Sequence, residues 1–217
     1  MQPIARVYDG PLPYSADSIA TAQTLAAAGD VTLDGSLCVG GIADLTPNAT
    51  LEITSTGDDS GITFTVTGKD EYGNAQSEVI QGEANTAYYS AYFYSEVSRI
   101  EASGATDGDI TIGNLNERIT EMIALDPYCD PLTYYQVSVI SETFISYSLE
   151  GTSDNPNDPV HPCSLQDMFW FSPVATLTGA SGTQFAAETF SPLYVRLFIT
   201  GSGQVRFTIL QYGSVSK

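Results

Sequence analysis

The sequence predicts an all-β protein, because apolar and polar residues alternate in short segments that turn residues separate. Residues 62–68, Ile-Thr-Phe-Thr-Val-Thr-Gly, alternate strictly and are β-branched or aromatic at most positions, which is typical of a half-buried strand. The 217-residue chain contains 19 glycines, 11 prolines and 13 tyrosines, a composition suited to a turn-dense β protein. Strand and helix patterns do not alternate along the chain, which excludes a parallel α/β sheet.

The first 16 residues predict an extended arm. Pro3, Pro11 and Pro13 oppose helix and favour extended backbone. We expect the apolar and tyrosine side chains of the arm to contact another subunit, because extended arms bind by adding backbone hydrogen bonds and seating alternate side chains in pockets. These residues are Ile4, Val7, Tyr8 and Tyr14.

Several elements are predicted after the arm. The alanine-rich residues 15–28 are predicted as a helix on intrinsic propensity. Residues 31–39, with the turn Asp34-Gly35, predict a β-hairpin, and residues 51–54 predict a strand. A central segment then begins at the strand 62–68. Its further predicted parts are a turn with Gly73 and Asn74, strands at 76–80 and 97–100, a turn at 106–109 and a closing strand at 110–112.

The second half of the chain repeats this pattern loosely. Residues 146–154 resemble 64–70 in pattern, and the predicted terminal hairpin, 194–199 with 205–209, resembles 97–100 with 110–112. Any two antiparallel sandwiches share such features, so a strict repeat is not established. We predict two tandem antiparallel β-sandwich units, immunoglobulin-like or jelly-roll-like, at 17–117 and 118–217.

Charge and hydropathy restrict the partners. The formal net charge is −19, from 26 acidic and 7 basic residues. Nucleic-acid binding needs Lys and Arg to neutralise phosphates, and these are few and scattered, so we expect no contact with nucleic acid or an anionic membrane. The acidic surface serves either solubility or an outward-facing layer of a larger particle. No apolar run approaches the ~20 residues of a membrane span, and the N terminus shows no signal-peptide pattern.

Motifs for catalysis or cofactors are not found. The three cysteines, Cys38, Cys129 and Cys163, are too few and too widely spaced for a disulfide framework and are expected as small buried hydrophobes in a reducing cytosol. The single histidine, His161, could join Cys163 and Cys129 at zinc, but the spacing matches no zinc motif. Nucleophile-elbow, P-loop and dinucleotide patterns are absent. We therefore predict no enzyme, no cofactor and no metal site.

Carboxylates cluster in predicted turns, where they could hold calcium or hydrolyse glycosides. Aspartate is favoured in turns for local hydrogen bonds, and none of the clusters fits the EF-hand pattern, so the structural role is favoured and calcium stays open. The clusters are Asp58-Asp59, Asp70-Glu71, Asp107 with Asp109, and Asp154 with Asp158.

Residues 88–94, Tyr-Tyr-Ser-Ala-Tyr-Phe-Tyr, are unusually aromatic. If they form one strand, alternation places Tyr88, Tyr92 and Tyr94 on one face and Tyr89 and Phe93 on the other. Phe93 has no polar tip, so we assign its face to the core and the other face to an interface, where tyrosine is enriched. The run 169–171, Phe-Trp-Phe, poses the same choice between core and interface.

A resemblance to a known family is carried by strand and turn patterns in both halves: 20–35, 61–68, 70–74 and 97–105 in the first, and Leu149–Asp154, Trp170, Val174–Leu177 and Val195–Leu197 in the second. In these residues the sequence resembles structural proteins of tailed-bacteriophage virions. These are strand and turn motifs, and the insert at 155–167 departs from them. The resemblance implies capsid decoration (cement) proteins or tail-associated proteins built of β-sandwiches, without catalytic residues.

We therefore expect a non-enzymatic virion protein, most directly a capsid decoration protein that binds and stabilises the major capsid lattice. It would be a homo-oligomer within a symmetric assembly formed in the host cytoplasm. The expected partner-binding residues are the four of the arm and Tyr88, Tyr92 and Tyr94 of the aromatic segment. The alternatives are a tail or neck component and an adhesin-type module that binds carbohydrate or a receptor through exposed Tyr and Trp.

Overall fold

The computed structural model describes residues 3–126, 133–141, 145–188 and 192–211. Within these residues the protein consists of antiparallel β-sheets with one 3₁₀ turn, at Ala175–Leu177, and contains no α-helix. The predicted all-β class is confirmed.

The strands are, in chain order, β1 (Ile4–Asp9), β2 (Ser15–Gln23), β3 (Gly29–Asp30), β4 (Cys38–Val39), β5 (Ile42–Ala49), β6 (Leu51–Ser55), β7 (Thr63–Lys69), β8 (Ala75–Gln81), β9 (Ala87–Tyr89), β10 (Tyr94–Ala102), β11 (Ile110–Asn114), β12 (Glu117–Ile119), β13 (Ile123–Ala124), β14 (Thr133–Val139), β15 (Ile145–Thr152), β16 (Gln184–Glu188), β17 (Tyr194–Gly201) and β18 (Gln204–Gln211).

The chain divides into two compact units, one of which is inserted into the sequence of the other. The inserted unit is Pro11–Arg118, and the split unit combines Met1–Gly10 with Ile119–Lys217. The boundary at residue 118 lies next to the predicted one. The predicted arm, in contrast, is divided between the units, because β1 pairs with β18 whereas β2 pairs with β11.

In the inserted unit, two sheets share one hydrophobic core. One sheet has the order β2-β11-β6-β9, and the other has the order β4-β5-β10-β7-β8, with β3 also on β10. Ile53 and Ile112 of the first sheet and Phe64 and Ile100 of the second belong to one buried cluster. Hydrophobic burial of this kind is the main stabilising term in folding. The predicted hairpin of β7 and β8 is confirmed, with Gly73 at φ 81° in its turn.

In the split unit, two sheets also share a core. One sheet has the order β1-β18-β14-β16, and in the other β17 lies between β12 and β13 and also pairs with β15. Tyr135 and Phe207 from the first sheet stack at 6.4 Å, and Leu149 and Leu197 from the second belong to the same cluster.

The two units share a strand order. In each four-stranded sheet the first strand of the unit pairs with its last strand, giving β2-β11-β6-β9 and β1-β18-β14-β16. In the other sheet of each unit, the strand before the last one pairs with an earlier strand. This pair is β10 with β7 in the inserted unit and β17 with β15 in the split unit. This correspondence agrees with the loose repeat predicted from the sequence. The difference is β8, which has no counterpart among the described strands of the split unit.

Two predicted local elements are wrong. Residues 15–23 form strand β2 instead of a helix, because Ile19 and Ala20 are fully buried in the core and the strand pairs with β11. Tertiary pairing here overrides the propensity of the alanine-rich segment. The predicted hairpin at 31–39 is also not formed, since residues 31–34 are not in a strand and β4 pairs with β5.

The predicted terminal hairpin is wrong in its pairing, although both of its strands exist. Strands β17 and β18 belong to different sheets, because β17 pairs with β15 and β18 pairs with β14. The same holds for β10 and β11, which pair with β7 and β6. In each unit the chain therefore crosses from one sheet to the other at the turn where the sequence predicts a hairpin.

Candidate functional site

The aromatic segment 88–94 is not one strand. Strand β9 ends at Tyr89 and β10 begins at Tyr94. Between them, the Ser90 hydroxyl accepts a hydrogen bond from the Leu51 backbone N–H at 2.8 Å and donates one to the Tyr92 carbonyl at 2.9 Å. This turn breaks the alternation on which the sequence prediction depends.

The assignment of Tyr88, Tyr92 and Tyr94 to an interface is wrong for two of these three residues, because Tyr88 and Tyr94 face the core. Tyr94 is 0% exposed and Tyr88 is 3% exposed, with the Tyr88 ring 5.7 Å from that of Phe64 in the core. Tyr92 packs against the core while partly exposed. The exposed ring is Tyr89, and Phe93, assigned to the core, is only partly buried.

The four arm residues predicted to bind a partner also differ in burial, and they belong to two different units. Tyr8 is buried in the core of the split unit, and its burial and the nearby Glu121 carboxylate raise its pKa well above the usual value. Ile4 packs against the same core, whereas Val7 is 54% exposed. Tyr14, in the inserted unit, is exposed and donates a 2.6 Å hydrogen bond to Glu52 Oε2, which raises the pKa of Tyr14. Tyr8 is thus removed from the candidate surface.

Several exposed apolar side chains lie together on the outer face of the sheet β1-β18-β14-β16. Side chains alternate along its strands, so Tyr135 and Phe207 point into the core and their neighbours point outward. Phe185 is 70% exposed and Tyr134 is 39% exposed. We call the outward face of these four strands the docking face; its apolar and aromatic residues are Ala5, Val7, Tyr134, Phe185, Ala187 and Leu210.

The register of the strands brings these side chains together. Thr208 is opposite Ala5 on one side and opposite Gln136 on the other, and Gln136 is opposite Phe185. In the adjacent row, Tyr134 lies between Leu210 and Ala187. A groove of about 360 Å³ lies on this face, lined among others by Pro3, Tyr134, Phe185 and Leu210. Its size and apolar lining suit one or a few apolar side chains of a partner.

Charge is sparse on the docking face. Among its described residues only Asp9 and Arg206 are charged, and both lie at the end opposite the groove, where Asp9 Oδ1 accepts a hydrogen bond from Gln204 Nε2. In a chain with a net charge of −19, such a region can contact another acidic protein without strong repulsion. Sequence reasoning missed Tyr134 and Phe185. The alternation around Tyr135 was a usable signal for Tyr134, but nothing local predicted β16.

A long loop, 153–183, lies between β15 and β16 and is fixed by specific contacts. Asp154 Oδ2 accepts the Phe169 backbone N–H at 2.6 Å, and Phe171 forms a two-hydrogen-bond bridge with Gly151 on β15. Leu177 is fully buried in the core. The loop thus covers part of the β15 edge at the position where β8 pairs with β7 in the inserted unit.

Trp170 of this loop packs against Arg196, which also forms an ion pair with Glu150. The Arg196 guanidinium carbon lies 3.8 Å from the centroid of the Trp170 ring, and Arg196 Nε donates to Glu150 Oε2 at 2.7 Å. A cation over an aromatic face is attracted by the ring quadrupole. One face of Trp170 is therefore occupied by the protein itself, whereas its neighbour Phe169 is 73% exposed.

The acidic turns are used locally. Asp59 Oδ1 accepts the Asp107 backbone N–H at 2.8 Å, and Asp158 Oδ1 accepts the His161 backbone N–H at 2.8 Å. Hydrogen bonds from the Ser60 hydroxyl and backbone lower the pKa of Asp58. In the described part of the chain, no group of three or more His, Cys, Asp or Glu side chains converges on a possible metal site. Cys129 lies outside the described residues.

Comparisons add no relative from which a function could be inferred. No protein-family model matches the chain, and no curated protein or solved structure is significantly similar to it. Among the described residues, no helix has the length and hydropathy to cross a membrane. Function must therefore be inferred from the surface itself.

Proposed function

We propose that this chain is a non-enzymatic structural protein of a phage virion, most directly a capsid decoration protein whose two units are β-sandwiches. The docking face is the observation that supports this function. Contiguous exposed apolar side chains on a folded unit favour association with another protein. The phage assignment rests on the sequence resemblance, and the docking face supplies a surface through which such a protein would bind.

The docking face has the composition expected of a binding site. Its two large exposed rings, Tyr134 and Phe185, flank a groove, and central aromatic residues supply most of the binding energy in protein interfaces. The polar Gln136 and Thr208 also line this groove and can hydrogen-bond to a partner backbone. The major capsid protein is the partner that we propose.

The same face could bind carbohydrate, since sugars also bind to exposed aromatic rings. The adhesin alternative relied on tryptophan as well, and Trp170 is less suited to that role because Arg196 covers one of its faces. Capsid decoration is therefore the function we favour, and glycan binding is the alternative that the experiment must separate from it.

The test measures binding of the purified protein to phage capsids that lack it. We expect Phe185→Ser to weaken binding about 10- to 100-fold, the effect typical of a central aromatic anchor. Phe169→Ser is the matched control, because Phe169 is equally exposed but lies on the long loop. It should bind as the wild type does.

Two outcomes would overturn the proposal. If Phe185→Ser binds capsids as tightly as the control variant, the docking face is not the contact. If the wild type does not bind capsids but binds defined glycans, and Phe185→Ser abolishes that binding, the adhesin alternative replaces it.

A further inference from the structure

Two exposed tyrosines flank a buried carboxylate on the outer face of the sheet β2-β11-β6-β9, in the inserted unit. Leu51 and Ile53 of β6 belong to the core, so Glu52 between them points outward. Glu52 is opposite Tyr89 of β9, which places their Cβ atoms about 4.5–5.5 Å apart. Tyr14 Oη donates to Glu52 Oε2 at 2.6 Å. Both tyrosines are more than half exposed, whereas Glu52 is 8% exposed. We call these three residues the Tyr-Glu-Tyr site.

The position of Tyr14 beside Glu52 depends on Gly113. Gly113 lies opposite Glu52 on β11, and a Cβ at this glycine would overlap the Ser15 backbone carbonyl. The missing side chain lets the chain at Ser15 lie against β11, which brings the preceding Tyr14 within hydrogen-bonding distance of Glu52. The backbone thus fixes the site before a ligand binds, and such preorganisation lowers the entropic cost of binding.

Glu52 has no positively charged partner. None of the ion pairs among the described residues includes Glu52, and its only side-chain hydrogen bond to a described residue is the one from Tyr14 to Oε2. Glu52 Oε1 is not one of the enclosed atoms without a partner, so solvent or a ligand can reach it. Burying a carboxylate costs free energy unless it is paired. A ligand that brings a positive charge to Oε1 would offset this cost.

The split unit already contains a contact of this kind. Arg196 lies 3.8 Å from the centroid of the Trp170 ring while its Nε donates to Glu150 Oε2 at 2.7 Å. One guanidinium group there packs on an aromatic face and pairs with a carboxylate at the same time. The Tyr-Glu-Tyr site offers the rings and the carboxylate of such a contact without the arginine.

We propose that the Tyr-Glu-Tyr site binds an arginine side chain of a partner protein. The guanidinium N–H groups donate to Glu52 Oε1, and its flat faces pack on the rings of Tyr14 and Tyr89. The net charge of −19 attracts cationic groups to the protein. A carbohydrate could also pack on the two rings, but it would leave the carboxylate without a counter-charge. The site lies on a different unit from the docking face, so this inference goes beyond the proposed function and does not depend on it.

Titration with short capped peptides tests the proposal. The full chain is isotope-labelled and its backbone amide signals are followed by NMR while the tripeptide Gly-Arg-Gly is added. We expect saturable shifts of the signals of Tyr14, Glu52 and Tyr89. A peptide with lysine in place of arginine should bind more weakly, because an ammonium group lacks the planar faces. A peptide with citrulline, which has nearly the same shape without the charge, should not bind.

Variants of the site should weaken binding of the arginine peptide. We expect Glu52→Gln to lower the affinity about 10-fold, the effect of losing one hydrogen bond to a charged group. Tyr89→Ala should lower it about 3-fold through loss of one cation–π contact. Glu83→Gln is the matched control, because it removes the same charge from an exposed position of the same unit and should bind as the wild type does. Circular dichroism checks that each variant is folded, and Tyr89→Ala decides if Glu52→Gln does not fold.

Three results would overturn the proposal. The first is equal affinity of the wild type, Glu52→Gln and Tyr89→Ala for the arginine peptide. The second is binding of the lysine or citrulline peptide as tight as that of the arginine peptide. The third is a shift of the same signals by maltotriose or chitotriose without any shift by the arginine peptide, which would make the site a carbohydrate site. None of these measurements uses capsids, so either this proposal or capsid decoration can fail while the other stands.

Discussion

Tyr8 donates a hydrogen bond from its Oη to Glu121 Oε1 at 3.0 Å, joining residues 113 positions apart in sequence. The entire inserted unit lies between them in the chain. Tyr8 is also the one fully buried side chain of β1. The N-terminal strand is thus an integral part of the split unit, which changes what its removal would measure: loss of residues 1–16 would weaken folding as well as any contact with another subunit.

Truncating Tyr8 should destabilise the protein. We expect Tyr8→Ala to lower the free energy of unfolding by about 3–5 kcal/mol, as for other large buried side chains. Tyr8→Phe should cost about 1 kcal/mol, the net value of one hydrogen bond. Urea denaturation checks both. Val7→Ala, at the exposed neighbouring position, is the control and should stay within about 0.5 kcal/mol of the wild type. Equal midpoints for Tyr8→Ala and Val7→Ala would contradict the burial of Tyr8.

The inserted unit should fold by itself. Its two sheets close around their own core, and its termini are fixed internally by the Asn114 and Asn116 side chains, which donate to the Pro13 and Leu12 carbonyls. We expect residues 11–118 to give a cooperative thermal transition, whereas residues 119–217 alone should not, because they lack β1. Adding a peptide of residues 1–10 should restore the transition. A cooperative transition of 119–217 without that peptide would show that β1 is dispensable.

Alanine substitutions in the aromatic segment 88–94 should change stability in the opposite way to the facing predicted from the sequence. Tyr94→Ala should cost about 3–5 kcal/mol of unfolding free energy, because Tyr94 is fully buried. Tyr89→Ala should cost less than about 0.5 kcal/mol, because that ring is exposed. Chemical denaturation of the two variants under the same conditions decides the facing. If Tyr94→Ala is more stable than Tyr89→Ala, Tyr94 is not the buried ring of the two.

Trp170 should keep the long loop ordered through Arg196. Arg196→Ala removes both the ring contact and the pair with Glu150, which we expect to be worth about 1–2 kcal/mol together. Because Trp170 is the single tryptophan, its fluorescence reports the loop directly, and limited proteolysis within 153–183 should become faster. Arg206→Ala, at an exposed arginine on the docking face, should change neither signal. Unchanged proteolysis in Arg196→Ala would mean that the loop is held by its other contacts alone.

Alkaline pH should unfold the protein through its buried tyrosines. Burial raises the pKa of Tyr147 from 10.0 to about 12. Below pH 10 this phenol is neutral in both states, so stability is fully present; above pH 10 the unfolded state ionises first, and stability falls up to about pH 12. The pKa of each of four other buried tyrosines is raised mainly by burial as well: Tyr8, Tyr88, Tyr94 and Tyr135.

Ultraviolet titration of tyrosinate checks this expectation. We expect two phases: a reversible phase while the protein stays folded, and a second phase in which the buried set titrates only as circular dichroism reports unfolding. Tyr147→Phe should leave one fewer tyrosine in the second phase. A single reversible phase that includes all tyrosines, without loss of structure, would contradict the burial of this set.

The sequence by itself determined the fold class and the positions of the strands with clear alternation. The predicted strand 62–68 was observed as β7, Thr63–Lys69, with Phe64 and Val66 buried, and the return strand β8 followed a turn at Gly73. Side-chain period and turn chemistry act within a few residues, so both could be predicted locally. The similarity of the two halves was also visible, since corresponding strands carry similar local patterns.

Only the tertiary structure decided which strand pairs with which. Residues 15–23 became a strand because β11 was available to pair with them, and β17 and β18 separated into two sheets because each found partners elsewhere. The face that the sequence analysis assigned to the core was also wrong, because Tyr88 and Tyr94 are buried whereas Phe93 is only partly buried. The docking face required β16, β14, β18 and β1 to meet, although the inserted unit separates β1 from the others in sequence. Such pairings depend on hydrogen bonds and burial between distant segments, which local patterns do not encode.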